Sequence, residues 1–312
     1  MNTSDRVAVA SRSFSRNESL REELLSRYKY VSFNDQGLKL KSDSLVNFLS
    51  GHSKAIIALE ELNSSVLAQL PILKVVSKYG VGIDMLDHSA MSRNGIKLGW
   101  TGGVNKRSVS EQVISLCINL LRDISFSNKE IINGIWQQHL GRQLTGLTIG
   151  IIGCGFVGKD LVSLLKPFRC KILVNDIVSY DDFYKKNDIE KVSKDQLLSR
   201  SDVVTLHVPL DQSTLNIISE RSLSIMKKNS ILINCARGKL VDEIALKQSL
   251  VKGNIAGAAL DVFSTEPPSD QELIELPNFI ATPHIGGSSI DAIQAMGMAA
   301  IEGLDKNKYI DE

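Results

Sequence analysis

Short apolar runs alternate with helix-like stretches along most of this chain, and that rhythm constrains its fold more than any other feature. Val7-Ala8-Val9-Ala10 comes first, followed by a loop, Ser11 to Asn17, and a helical stretch to about Arg27. Ala55 to Leu59, Leu73 to Ser77 and Ile96 to Gly99 continue the series. Such runs, apolar on successive residues rather than on every second one, suit strands buried on both faces. Strands that alternate with helices build a parallel sheet covered on each side. A second series is cleaner: Leu147 to Ile152, Lys171 to Val174, Val203 to Leu206, Ser230 to Asn234, Ile255 to Leu260 and Phe279 to Ala281. Between the two lies a helix expected over Ser108 to Arg122, with Val109, Val113, Leu116, Cys117, Leu120 and Leu121 near helical spacing. Thr101-Gly102-Gly103 punctuates the chain before it. After Gly287 a last helix is expected, with Ile290, Ile293, Gly297, Ile301 and Leu304 on one stripe, returning to the first domain. The expectation is α/β, with two doubly wound parallel-sheet domains. Residues 1–102 and 288–312 form one, and residues 103–287 are inserted into it.

Composition narrows the class. The 312 residues are 43% apolar and 23% charged, enough for two domains with a sizeable core. A formal charge of +1 gives no global field for nucleic acid or an anionic membrane. No apolar run reaches the roughly 18 residues of a membrane span. Met1 to Arg16 carries charges and serines rather than an apolar signal core, so a cytoplasmic location is expected. Cys117, Cys154, Cys170 and Cys235 form no CxxC pair and no zinc spacing, and read as free thiols with no metal site. Lys306, Lys308 and the acidic C-terminal residues read as a solvated tail.

The chemistry-bearing residues gather just past strand ends, the edge at which open α/β sheets bind ligands. Gly153-x-Gly155-x-x-Gly158 follows a strand and opens a helix. Its first glycine permits a tight turn, its second lets backbone approach a pyrophosphate, and its third allows close helix packing. The helix N-terminus would meet the pyrophosphate charge. Asp176 ends the next strand, where a carboxylate accepts both ribose hydroxyls and repels a 2′-phosphate. No arginine stands beside it, which favours NAD over NADP. Arg237, in Asn234-Cys235-Ala236-Arg237-Gly238, offers a planar fork to a carboxylate. His284, in Thr282-Pro283-His284-Ile285-Gly286-Gly287, is a proton carrier, and Glu266 is suited to fix its tautomer. Together they describe hydride transfer at a hydroxyl-bearing carbon. His207, before Pro209 at a strand end, shapes a cofactor rim, whereas His52, His88 and His139 have no partner pattern.

In that order, these motifs resemble the D-isomer-specific 2-hydroxyacid dehydrogenases over nearly the whole length. Gly80-Val81-Gly82-Ile83-Asp84, His207-Val208-Pro209-Leu210 and Ala259-Leu260-Asp261-Val262-Phe263 with Glu266-Pro267 add to the match. The resemblance implies a Rossmann NAD-binding domain inserted in a flavodoxin-like substrate domain, and homodimers built around the cofactor domain. It implies that Arg237 binds the substrate carboxylate and keto oxygen, that His284 is the acid-base and that Glu266 is its partner. The backbone of Val81 and Gly82 would cradle the carboxylate, with Lys78 and Tyr79 beside it. Asp261 would face the nicotinamide amide and Thr214 the pyrophosphate side. Phe156, Val157, Pro209, Cys235, Ala236 and Gly286 would complete the cofactor's surroundings. Lys78-Tyr79-Gly80-Val81-Gly82 and Asn105 to Glu111 are most similar to the phosphoglycerate dehydrogenase-like branch, so 3-phosphoglycerate/phosphohydroxypyruvate is one expected pair. That branch carries an Arg-Ser phosphate contact where this chain reads Glu60-Glu61-Leu62-Asn63, and carboxylates repel a phosphate. Lys78 and the loop Arg12 to Arg16 are the candidates to compensate. A glyoxylate/hydroxypyruvate-type reductase is the alternative, and an NAD(H)-sensing corepressor-like protein is another. A domain closure is expected on a hinge near residues 101–103 and 286–288.

Overall fold

The structure is a computed structural model that describes residues 5–310. Met1 to Ser4, the start of the segment read as lacking a signal core, and the acidic Asp311 and Glu312 lie outside the described residues. Two compact units divide the chain: Met1–Asn105 with Ile290–Glu312, and Lys106–Ser289.

The first unit holds strands β1 (Arg6–Val9), β2 (Tyr30–Phe33), β3 (Lys54–Ile57), β4 (Val75–Lys78) and β5 (Lys97–Gly99). They form one parallel sheet in the order β2-β1-β3-β4-β5. This is the flavodoxin-like order, with its switch point between β1 and β3. The central strands read as continuous apolar runs because helices cover both faces. Val7, Val9 and Ile56 pack under Phe14, Leu20 and Ile301 on one side. Ala8, Ala55, Ile57 and Val76 pack under Leu45, Leu49 and Met91 on the other.

The second unit holds β6 (Thr148–Ile152), β7 (Lys171–Asn175), β8 (Ile189–Lys191), β9 (Val203–Leu206), β10 (Ile231–Asn234), β11 (Gly257–Leu260) and β12 (Phe279–Ala281). Its parallel sheet runs β12-β11-β10-β9-β6-β7-β8. Counted within the unit this is the Rossmann order with one added edge strand, and the switch point falls between β6 and β9. The helix Lys106–Leu121 lies on this sheet through Val109, Val113, Leu116 and Cys117.

Two strands carry no apolar run. β2 (Tyr-Val-Ser-Phe) and β8 (Ile-Glu-Lys) are sheet edges, paired on one side only and partly exposed, so burial does not select their composition. The loop expected after β1 contains a helical turn, Arg12–Ser15, which Ser11 caps by accepting the Phe14 N–H. The expected solvated tail is also partly structured, since Lys308 exchanges backbone hydrogen bonds with Leu98 at the free edge of β5.

The last helix, Ile290–Gly303, packs on the first unit's sheet by close backbone approach. Of the expected stripe, Gly297 and Ile301 are buried, whereas Ile290 is 86% exposed. Small residues make the contact: Ser77 Oγ donates to the Ala300 carbonyl at 2.6 Å, and a Cβ on Gly99 would lie 2.1 Å from the Gly303 carbonyl oxygen. The Gly99→Ala substitution is therefore expected to force helix and strand apart and cost about 1–3 kcal/mol, read as a lower midpoint in urea at unchanged slope.

Candidate active site

The glycine loop sits at the switch point of the second sheet, where β6 ends. Gly153 has φ +93°, and a Cβ there would fall 2.6 Å from the His207 carbonyl oxygen, so the turn requires glycine twice over. At Gly158 a Cβ would meet the Gly153 carbonyl oxygen at 2.4 Å, which is the close helix packing expected of a third glycine. Gly155 has nothing within 4 Å of an added Cβ, leaving space over the loop. The helix Phe156–Leu165 begins there with no side chain capping its N-terminus. Backbone donors and the positive end of the helix dipole are thus available to an anion at Phe156 and Val157. Asp176 follows β7 directly, beside this loop, and accepts the Cys154 N–H at 2.5 Å and the Val178 N–H at 2.8 Å. Its carboxylate holds the loop and keeps lone pairs for a ribose. Asp176→Ala is expected to weaken discrimination against NADPH and loosen the loop, both read from Kd values for NADH and NADPH. Unchanged cofactor preference would argue against the ribose role.

Arg237 follows β10 through a turn organised by the fully buried Asn234, whose side chain donates to the Arg237 carbonyl at 2.8 Å and accepts the Ala236 N–H at 3.0 Å. Arg237 Nη1 donates to the Ala236 carbonyl at 2.7 Å. Next in sequence, Gly238 lies against the backbone at Phe263 so closely that a Cβ would be 1.9 Å from the Phe263 carbonyl carbon. The arginine turn and the segment leading to Glu266 are thereby pressed together. Glu243, at the start of the helix Glu243–Val251, accepts the Ser264 N–H at 2.6 Å and fixes the same segment.

His284 and Glu266 meet. Nδ1 of His284 lies 2.9 Å from Oε2 of Glu266, and Oε1 of Glu266 accepts the Phe263 N–H at 3.2 Å. The carboxylate sets the imidazole's orientation and leaves Nε2 as the ring atom that can exchange a proton with a ligand. Both side chains are about two-fifths exposed, at 43% and 41%. The backbone at His284 has φ +55°, the left-handed region that L-residues seldom occupy. Asp261, 1% exposed, holds it there. The His284 N–H donates to the Asp261 carbonyl at 2.8 Å, Ile285 N–H to its Oδ1 at 2.9 Å, and Gly286 N–H to its Oδ2 at 2.8 Å. Three consecutive backbone donors thus converge on one residue. Gln112, from the helix Lys106–Leu121, and Thr282 also donate to Asp261 Oδ1. Ser108 Oγ donates to the Gly286 carbonyl at 2.7 Å. Asp261, expected to face the nicotinamide amide, thus spends most of its hydrogen-bonding capacity on the His284 turn. Gln112, Thr282 and Ser108 were not expected at the site. The available signal was the polar pair Ser108 and Gln112, one turn apart on the helix Lys106–Leu121.

Around this rim, His207 Nε2 is 3.0 Å from Thr205 Oγ1, and burial pushes its pKa down to about 4. The folded state therefore favours neutral His207, and the unfolded chain binds the extra proton between the usual histidine value of 6.5 and about 4. Stability tied to this residue is full above pH 6.5 and declines as pH falls through that window, by at most about 1.4 kcal/mol per pH unit. Replacing His207 with asparagine is expected to flatten that part of the stability–pH curve, as measured by urea unfolding at successive pH values. Thr214 Oγ1 donates to the Pro209 carbonyl and accepts the Asp211 N–H, each at 2.8 Å, so it shapes the Pro209–Thr214 loop. Cys154 is buried, and burial together with the nearby Asp176 charge pushes its thiol up to about 11. Burial drives Cys235 upward as well, so both stay as unreactive thiols at neutral pH.

In the first unit, Lys78 is 4% exposed and donates to the Tyr79 carbonyl at 3.1 Å. Tyr79 is buried against Phe14, edge to face with centroids 5.4 Å apart. Beyond them the chain turns at Gly80 (φ +117°) into Val81 and Gly82, both half-buried. Among the described residues neither the Val81 nor the Gly82 N–H has a partner within the chain. Glu60 Oε2 accepts the Ala58 N–H at 2.6 Å. Glu61, Asn63, Asp84 and Asp87 line an open depression of about 470 Å³ with Leu59, Met85 and Leu86.

Residues 114–286 match the family model described as "D-isomer specific 2-hydroxyacid dehydrogenase, NAD binding domain". A hydroxypyruvate reductase of Thermotoga maritima is 36% identical over 241 residues, 75% of this chain and 77% of that protein. A D-3-phosphoglycerate dehydrogenase of Methanocaldococcus jannaschii is 36% identical over 254 residues, 79% of this chain but 48% of its own length. This chain therefore spans about half of that relative. Among solved structures, D-lactate dehydrogenase from Aquifex aeolicus, complexed with NAD and lactic acid, superposes with a TM-score of 0.82 at 25% identity, over 96% of this chain and 93% of that one. A family match over more than half the chain falls on the unit in which the glycine loop, Asp176 and the His284–Glu266 pair occupy one sheet edge. The chain belongs to the D-isomer-specific 2-hydroxyacid dehydrogenases and carries their NAD-binding domain.

Proposed function

We propose that the protein interconverts a small, unphosphorylated 2-keto acid and its D-2-hydroxy acid, with His284 as proton donor and acceptor. The observation that carries this reading is the His284–Glu266 pair on a turn clamped by Asp261. The unit Lys106–Ser289 is taken as the cofactor domain and the other unit as the substrate domain. Gly155, Phe156 and Val157 would receive the pyrophosphate on backbone N–H groups, and Asp176 the ribose. The space at Gly155 and the uncapped helix support that fit. Bound NADH supplies the hydride. Arg237 would hold the substrate carboxylate through its planar fork and polarise the keto oxygen. Nε2 of His284 would deliver a proton to that oxygen, while Glu266 holds Nδ1 and so orients the ring. The free N–H groups of Val81 and Gly82 would add donors for the carboxylate.

One feature supports an unphosphorylated substrate. The side chains of Glu60, Glu61 and Asp84, beyond β3 and β4, are carboxylates rather than cations, and carboxylates repel a phosphate. A homodimer is part of the same reading. The helix Ile124–Ile132 buries none of its residues, and Ile131, Ile132, Ile135, Trp136 and Leu140 are all at least half exposed, with Leu140 at 102%. So much apolar surface in one segment suits a second copy of this chain. Among the described residues no helix is long and apolar enough to cross a membrane.

The test is NADH oxidation with glyoxylate, pyruvate, hydroxypyruvate and phosphohydroxypyruvate side by side. An unphosphorylated acid with the highest kcat/KM is expected. Preference for phosphohydroxypyruvate would remove the substrate assignment, and no turnover with any 2-keto acid would remove the dehydrogenase reading itself.

A further inference from the structure

We infer that Trp100 is a positioning residue for the substrate carboxylate, acting through the Val81–Gly82 peptide. This rests on the dehydrogenase reading above and names a part of its substrate site that the family's motifs do not contain.

Trp100 follows β5 directly, and its indole Nε1–H donates to the Val81 carbonyl at 2.9 Å. The bond ties the chain leaving β5 to the turn leaving β4, the neighbouring strand of the sheet. The consequence is geometric. The Val81–Gly82 peptide is trans, so its C=O and N–H point in opposite directions across one plane. Fixing the carbonyl on the indole fixes the Gly82 N–H on the opposite side. That N–H and its neighbour at Val81 are unpaired within the chain among the described residues. Gly80, at φ +117°, and Gly82 have no side chain to shield them. A turn flanked by glycines has little intrinsic preference for one peptide orientation. Without an anchor the 81–82 plane is free to rotate, and the donors scatter. The indole supplies that anchor at a single point, while remaining 39% exposed. Phenylalanine in its place keeps an aromatic ring and loses only the donor.

Trp100→Phe is expected to raise KM for the preferred 2-keto acid about 3–10-fold, the loss of one hydrogen bond's worth of orientation. kcat and the KM for NADH should move less than about twofold, because the donor removed by the change serves the Val81 carbonyl. A residue that merely stabilised the fold would not split KM from kcat in this way. A second measurement needs no variant at position 100. The chain has two tryptophans, and Trp136 lies in the other unit. In a Trp136→Phe protein saturated with NAD, Trp100 emission excited at the indole edge should change saturably with oxamate, a carboxylate analogue of the keto acid. Unchanged keto-acid KM in Trp100→Phe, with an active wild type, overturns the inference alone. Trp100 emission indifferent to oxamate overturns it as well, including when the position-100 variant does not fold. A wild type that turns over no 2-keto acid overturns both this inference and the reading beneath it.

Discussion

Replacing His284 with asparagine is expected to lower turnover by about 10²–10⁴-fold while NADH binding stays within about twofold, the range over which general acid–base catalysis acts. Asparagine is the informative replacement because the site has φ +55°, and asparagine is among the few residues that accept this backbone without added strain. The three N–H bonds to Asp261 come from the main chain and survive the change. What disappears is Nε2, the ring atom left free once Nδ1 is engaged by Glu266. Steady-state kcat and an NADH fluorescence titration separate the two effects. Turnover near that of the wild type would mean that the proton comes from elsewhere.

The Asp261→Ala protein is expected to lose about 2–4 kcal/mol of stability and about 10²-fold in kcat. Removing the side chain leaves the buried Gly286 N–H and the part-buried Ile285 N–H without acceptors, while the Gln112 amide keeps Thr282 Oγ1 at 3.1 Å; each unsatisfied group costs about 1–3 kcal/mol before relaxation. The backbone at His284 then relaxes from the left-handed region, and the imidazole leaves Glu266. Asp261→Asn keeps the shape but has to turn its NH₂ toward donors on one side or the other, since Oδ1 and Oδ2 both accept. It should therefore also be destabilised, though by less. Urea unfolding and kcat measured on the same preparations test both statements. A stable Asp261→Ala protein with normal kcat would show that the turn holds its conformation without the clamp.

These two sites differ in how readable they were. The inner strands of both sheets were legible because strands covered on both faces are apolar on successive residues, as in Ile231-Leu232-Ile233. β2 and β8 were not, because an edge strand has one unpaired side and no need of a continuous apolar run. The glycine loop was legible because each glycine answers a local steric demand: φ +93° at Gly153 and the Gly153 carbonyl at Gly158. His284 and Glu266 were legible as residue types past strand ends, and they lie within hydrogen-bonding distance. The role of Asp261 as a clamp was not, because it depends on Gln112, 149 positions away in the chain, and on a backbone conformation at His284 that no composition encodes. The role of Trp100 is hidden in the sequence for the same reason. An indole at a strand end suggests packing until its N–H is seen on the Val81 carbonyl.

The most direct test uses NADH carrying deuterium at both C4 positions, the better of pyruvate and hydroxypyruvate as the keto acid, and chiral separation of the lactate or glycerate formed. One deuterium is expected on C2 of a D-2-hydroxy acid, with none from the same reaction in D₂O using unlabelled NADH. Deuterium missing from C2, or a product of L configuration, would contradict D-specific hydride transfer.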